Sequence, residues 1–194
     1  MKSERTKWMM VNSLKKLMRQ KPLNRITIRE IVEDCGVNRQ TFYYHFGNIY
    51  DMVAWMYREE ALNLLKQREG ADVWSTGLRA LFHYIEDNWE ICLCALRSTE
   101  RDQLSRFYHG NLEDIVKKTI DTILKDIPHK VPEDYVNFIT HFYTISLSAL
   151  VESWLNGEIS LTADEIVNYI DITLGAQIRG ALAGDYIGNL LGHH

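Results

Sequence analysis

The chain has 194 residues, of which 46% are hydrophobic and 25% charged, and a net charge of −4. That length sets one domain or two small ones, and the composition excludes a disordered tail, a collagen-like repeat and a mucin-like stalk. Only 3 prolines and 11 glycines interrupt it, and no apolar run reaches the ~18 residues that a membrane span needs.

Residues 4–19 place Met10, Leu14, Leu17 and Met18 at i, i+4, i+7 and i+8, one stripe of an amphipathic helix. Lys7, Lys15 and Arg19 lie off that stripe and face water or a partner. Pro22 breaks the helix, because proline has no amide donor and restricts the residue before it. Thr27 and Glu30 form a T-x-x-E capping box that opens a second helix, which buries Ile28, Ile31 and Val32 and stops at Gly36. Asn38 is a good N-cap for a third, short helix, RQTFYYHF, closed by Gly47.

The remainder reads as longer helices over about 48–67, 73–87, 88–97, 101–126 and 132–156. The last of these ends at Gly157, and a second capping box, Thr162 to Glu165, starts a final helix to about residue 183. Strand-like alternation is missing throughout, so the expected class is all-α with about nine helices. His193 and His194 have the form of a tag remnant and carry no fold argument.

Charge divides unevenly along this chain. Residues 1–50 hold 10 Lys+Arg against 4 Asp+Glu, a net of +6, whereas residues 51–194 hold 12 against 22, a net of −10. A basic head on an acidic body suits a polyanion-binding unit of limited size. Two short helices joined by a glycine turn, after a basic helix, make a helix-turn-helix in that head. Its second helix offers Arg39, Gln40, Thr41, Tyr43, Tyr44 and His45, while Phe42 and Phe46 anchor it. Arginine bonds bidentately to guanine and glutamine to adenine, threonine touches a thymine methyl, and tyrosine reaches phosphate. The amides at the start of the Thr27 helix form an anion site.

At TIREIVEDCGVNRQTFYYHFGNIYDMV, within residues 26–53, the chain resembles the DNA-binding domain of TetR-family transcriptional regulators. The resemblance implies phosphate and base contacts at Thr27, Arg39, Gln40, Thr41, Tyr43, Tyr44 and His45. One position departs: many members carry a phosphate-touching lysine where this chain has Ile49. The strings TFYYHFGNIYDMVAWMYREEA and FYTISLSALVESWLNGE are similar to the branch that includes activators of dihydroxyacetone-kinase operons.

What the resemblance implies for the rest is a division into a DNA-binding domain over 1–50 and an effector-binding and dimerisation domain over 51–194. A homodimer would read a palindromic double-stranded operator. Its interface would use the last two long helices, where Phe138, Phe142, Ile145, Ala149, Leu150, Ser153 and Trp154 form a stripe too broad for one intramolecular contact. An effector pocket, for a small molecule or with a protein co-regulator in its place, has His83, Trp89, Tyr108, His109, His141 and Tyr143 as candidates.

A metal or other cofactor is not expected. Cys92 and Cys94 stand at i and i+2, ~200° apart on a helix, and cannot share an ion. Three cysteines cannot all pair within one chain, and the polar interruptions of the N-terminus do not suit a secretory signal, so the expected location is cytoplasmic. Catalysis is not expected either, since the sequence holds no H-E-x-x-H, nucleophile–base motif or phosphate-cradling glycine loop. The competing reading is a helical protein-interaction module that has lost specific DNA binding, supported by Ile49 and the modest head charge.

Overall fold

A computed structural model describes residues 2–62, 73–98, 101–127 and 131–183. Counting a helix and its π-helical continuation as one, these residues form nine helices and one 3-10 turn, Leu23–Arg25, and no strand occurs among them. The helices are α1 (Lys2–Met18), α2 (Ile28–Cys35), α3 (Arg39–His45), α4 (Ile49–Tyr57), α5 (Val73–Asp87), α6 (Trp89–Leu96), α7 (Arg101–Leu124), α8 (Glu133–Leu155) and α9, which starts as Ala163–Ile170. A π-helical segment, Arg58–Leu62, continues α4, and another, Asp171–Gly175, leads α9 into Ala176–Ala183. Most of the expected extension of α4 to 67 lies outside the described residues.

The head forms because three short helices share one apolar centre. Met10, Val11 and Leu14 of α1 are fully buried with Ile31 of α2 and Phe42 of α3. Ser13 would be an orphaned hydroxyl among them, but it donates to the Ile31 carbonyl at 3.2 Å and so ties α1 to α2. The turn between α2 and α3 works as expected: Gly36 sits at φ 71°, the left-handed region, with its amide donating to the Val32 carbonyl.

The body repeats this logic on longer helices. Phe82, Ile91, Ile120, Leu147 and Val167 bring α5 to α9 into one buried cluster. Helix α8 carries Thr140, Thr144 and Ser148 through this apolar region because each hydroxyl donates to the carbonyl four residues back, at 2.7–2.8 Å. Helix α9 is held at its start by α5. Glu86 accepts from the Ala163 amide at 3.0 Å, and Arg79 pairs with Asp164.

Trp154 corrects one expectation. It is only 2% exposed, packed tilted against Phe82 and edge-on against Trp89 at ring distances of 5.3 and 5.0 Å, and its indole donates to the Leu161 carbonyl at 2.8 Å. It is a core residue of the chain itself, with almost no surface left for an interface.

Candidate nucleic-acid interface

The capping boxes and caps fix the helix-turn-helix locally. Thr27 Oγ1 accepts from the Glu30 amide at 3.3 Å, while the Glu30 carboxylate accepts from the Thr27 amide and hydroxyl at 2.9 Å each. Lys21 also pairs with Glu30. The Lys21 hydrogen bond, followed by those from Thr27, lowers the Glu30 carboxyl to about 2. The expected anion site at the start of α2 is therefore already faced by a carboxylate of the chain itself, and the Thr27 hydroxyl is committed to it.

Helix α3 starts in the same manner. Asn38 Oδ1 accepts from the Thr41 amide at 2.8 Å and from its hydroxyl at 3.0 Å. Phe42 and Phe46 are buried and fix the orientation of α3, with rings 5.9 Å apart. The rest of the helix is open: Arg39 and Gln40 are exposed, Tyr43 is 52% exposed and Tyr44 82%. Thr41 and His45 stand half-buried at its margins. The structure thus brings six of the seven expected contact residues onto one short helix, with Thr27 at the start of the preceding helix, α2.

His45 closes the C-terminal end of α3, with its ring 5.0 Å from that of Tyr44. Burial, and then the charge of Lys7, lowers its pKa and favours the neutral imidazole. Lys7 reaches this end from α1. Its ammonium lies 5.0 Å from the Trp55 ring centroid and 6.0 Å from that of Phe46. The sequence pattern put Lys7 on the outer side of α1 but could not show what lay across from it.

Two neighbouring positions read differently from their sequence. Gly47 follows the end of α3 without a left-handed turn: Phe46 leaves the helix in extended conformation, and Gly36 and Gly157 are the positive-φ residues among those described. A Cβ on Gly47 would sit 2.6 Å from Asp51 Oδ2, so glycine there makes room for the first turn of α4. Ile49 is half-buried and packs on the core, which gives the residue at this position an inward role.

The body candidates scatter. Trp89 is half-buried against Trp154, and Tyr143 is buried, with its hydroxyl's pKa raised chiefly by burial. His109 is half-buried beside His141, ring centroids 6.1 Å apart, and its Nδ1 lies 3.4 Å from Ser148 Oγ. His141 is itself exposed. His83 is a surface residue between Asp164 and Glu86, at 3.2 and 3.5 Å, which removes it from any buried pocket. The side chain of Tyr108 lies outside the described residues. On the outer face of α8, Phe138, Phe142, Ile145 and Ala149 are exposed together.

Residues 12–55 match the family profile of bacterial regulatory proteins of the tetR family, and residues 72–175 match that of a transcriptional regulator C-terminal region of TetR type. The HTH-type dhaKLM operon transcriptional activator DhaS of Lactococcus lactis subsp. lactis (strain IL1403) is 25% identical over 87 residues, 45% of this chain and 46% of that one. The match spans about half the length of that curated relative. A solved structure of a dihydroxyacetone kinase operon activator DhaS superposes with a TM-score of 0.73 at 20% identity, covering 90% of this chain and 96% of that one, and shares the fold. With the C-terminal profile covering more than half of the chain and the N-terminal profile lying on the helix-turn-helix, this chain belongs to the TetR family of transcriptional regulators.

Proposed function

We propose that the protein is a homodimeric, sequence-specific DNA-binding regulator whose α3 enters the major groove of a palindromic operator. The observation that carries this reading is Tyr44, a large aromatic side chain 82% exposed on a helix whose other face is buried. It has little packing inside the subunit and continues the row of Gln40, beside the row of Arg39 and Tyr43, the residue types that meet bases and phosphates. In this reading Arg39 and Gln40 touch base edges, Thr41 offers its methyl group, and Tyr43, Tyr44 and His45 meet phosphate. Thr27 acts through the capping box that fixes α2.

Residues 1–50 form the DNA-binding domain and 51–194 the regulatory one, with α4 joining them. The dimer forms through α8 and α9, using Phe138, Phe142, Ile145 and Ala149 of α8 with the exposed Tyr169 and Ile172 of α9. An apolar stripe of this kind is costly to leave in water. A small molecule or a protein co-regulator on the body then changes the separation of the two α3 helices. About 34–36 Å between half-sites is a strict requirement, so a few ångströms of spread weaken binding. The location is the cytoplasm, consistent with a DNA target and with the absence of any described helix long and apolar enough to cross a membrane.

Selection of bound duplexes from a random-sequence pool tests the reading: enrichment of one palindrome supports it, and no enrichment removes it. Both relatives are described as activators, and transcription from the selected site in a reporter separates activation from repression. The interaction-module alternative loses its support at Ile49, whose side chain serves the core.

A further inference from the structure

Five of the ten Lys and Arg side chains of residues 1–50 have carboxylate partners. Lys15, Lys16, Arg19, Lys21 and Arg29 pair with Glu60, Asp34, Glu90, Glu30 and Glu33. Their charge is largely answered within the chain. Among the others, Lys7 and Arg39 lie at the two ends of α3: among the described residues neither has a carboxylate partner, and Lys7 lies over the rings of Trp55 and Phe46 instead. Aromatic faces attract an ammonium without neutralising it. They hold the long side chain in place while leaving its charge available to an anion.

The placement of these two cations is specific. Arg39 opens α3 and His45 ends it, ~9 Å further along at 1.5 Å per residue. Lys7 sits at the far end, close enough to His45 for its charge to bear on that imidazole. It comes from α1, outside the recognition helix. A helix lying in a major groove ~12 Å wide has a phosphate strand along each flank, and a cation beside the helix end meets that strand and not the bases.

We propose that Lys7, steadied by Trp55 and Phe46, is a backbone-phosphate contact of the DNA complex, one per subunit. This rests on the DNA-binding reading above. The contact adds affinity without sequence preference, and the aromatic platform limits the freedom the side chain loses on binding.

The test measures affinity of the full chain for a selected duplex and for a random one, between 50 and 200 mM salt, with wild type, Lys7→Gln and Lys7→Arg. Each lost phosphate contact removes ~0.9 from the slope of log affinity against log salt, so a dimer of Lys7→Gln should lose ~1.8. The affinity deficit at 50 mM should then be ~12-fold larger than at 200 mM. The deficit should be equal on both duplexes, and Lys7→Arg should restore the slope. Equal melting temperatures of the three proteins exclude a folding cause. An unchanged slope in Lys7→Gln, with wild type binding normally, overturns the Lys7 assignment alone. No binding by wild type to any selected duplex overturns the DNA reading and this contact with it.

Discussion

Lys15 and Glu60 pair at 2.9 Å across the joint between the head and the body, with side chains only 16% and 18% exposed. The same carboxylate accepts from the Tyr84 hydroxyl at 2.7 Å, so α1, the π-helical segment and α5 meet at one charged group. Truncation as Glu60→Ala leaves a poorly solvated ammonium and a tyrosine hydroxyl without this acceptor, at a cost of about 2 kcal/mol. Urea unfolding should show the lowered midpoint, and Glu60→Gln should recover part of it through the tyrosine.

Arg39→Ala and Tyr43→Ala should keep the fold, because both side chains are exposed on α3. Arg39→Ala should weaken operator binding by about 1–3 kcal/mol and relax preference at one base position. Tyr43→Ala should weaken binding to all duplexes alike. Anisotropy titration against a panel of single-base variants separates the two patterns.

Gly36 has open space where a Cβ would go but a φ of 71°. Its replacement is therefore a test of backbone strain without steric conflict. Gly36→Val should destabilise by about 1–2 kcal/mol, and Gly36→Asn by less, since asparagine tolerates the left-handed region better. Thermal melts of both variants supply the comparison.

Glu30 gives a pH dependence with a definite sign. Its folded pKa of about 2 lies below the model-compound value of 4.5, mainly because Lys21 donates to it. The ionised carboxylate thus contributes stability above about pH 4.5, and that contribution is lost as pH falls toward about 2. Stability measured from pH 6 down to 2 should fall less steeply in Glu30→Gln than in wild type.

Phe142 and Trp154 separate the outer and inner sides of α8. Phe142→Asp should leave the subunit folded and shift the sedimenting species from dimer to monomer. Trp154→Ala should cost about 3–5 kcal/mol of folding stability, as expected of a large truncated core aromatic. A Phe142→Asp dimer as stable as wild type would place the interface elsewhere.

Features set by a few adjacent residues were legible from the sequence: the Thr27 and Thr162 capping boxes, the Asn38 cap and the left-handed Gly36 all stand where their local chemistry puts them. So do the inward Phe42 and Phe46, four residues apart on one side of α3, with the exposed Tyr44 across the helix from them. Trp154 misled because the apolar stripe of α8 wraps two sides, and period cannot say which side meets its own subunit. His83 was drawn to a pocket by its place on an apolar helix, but its partner Asp164 is 81 residues away. Lys7 went unassigned for the same reason, since its aromatic platform comes from α3 and α4.

The most direct test is selection from a random duplex pool followed by sedimentation of the protein on the enriched sequence. The account expects a single palindrome with half-sites one helical turn or a multiple apart, two chains per duplex, and affinity that falls steeply with salt. Failure to enrich any sequence, or equal binding to the palindrome and its scrambled form, would contradict it.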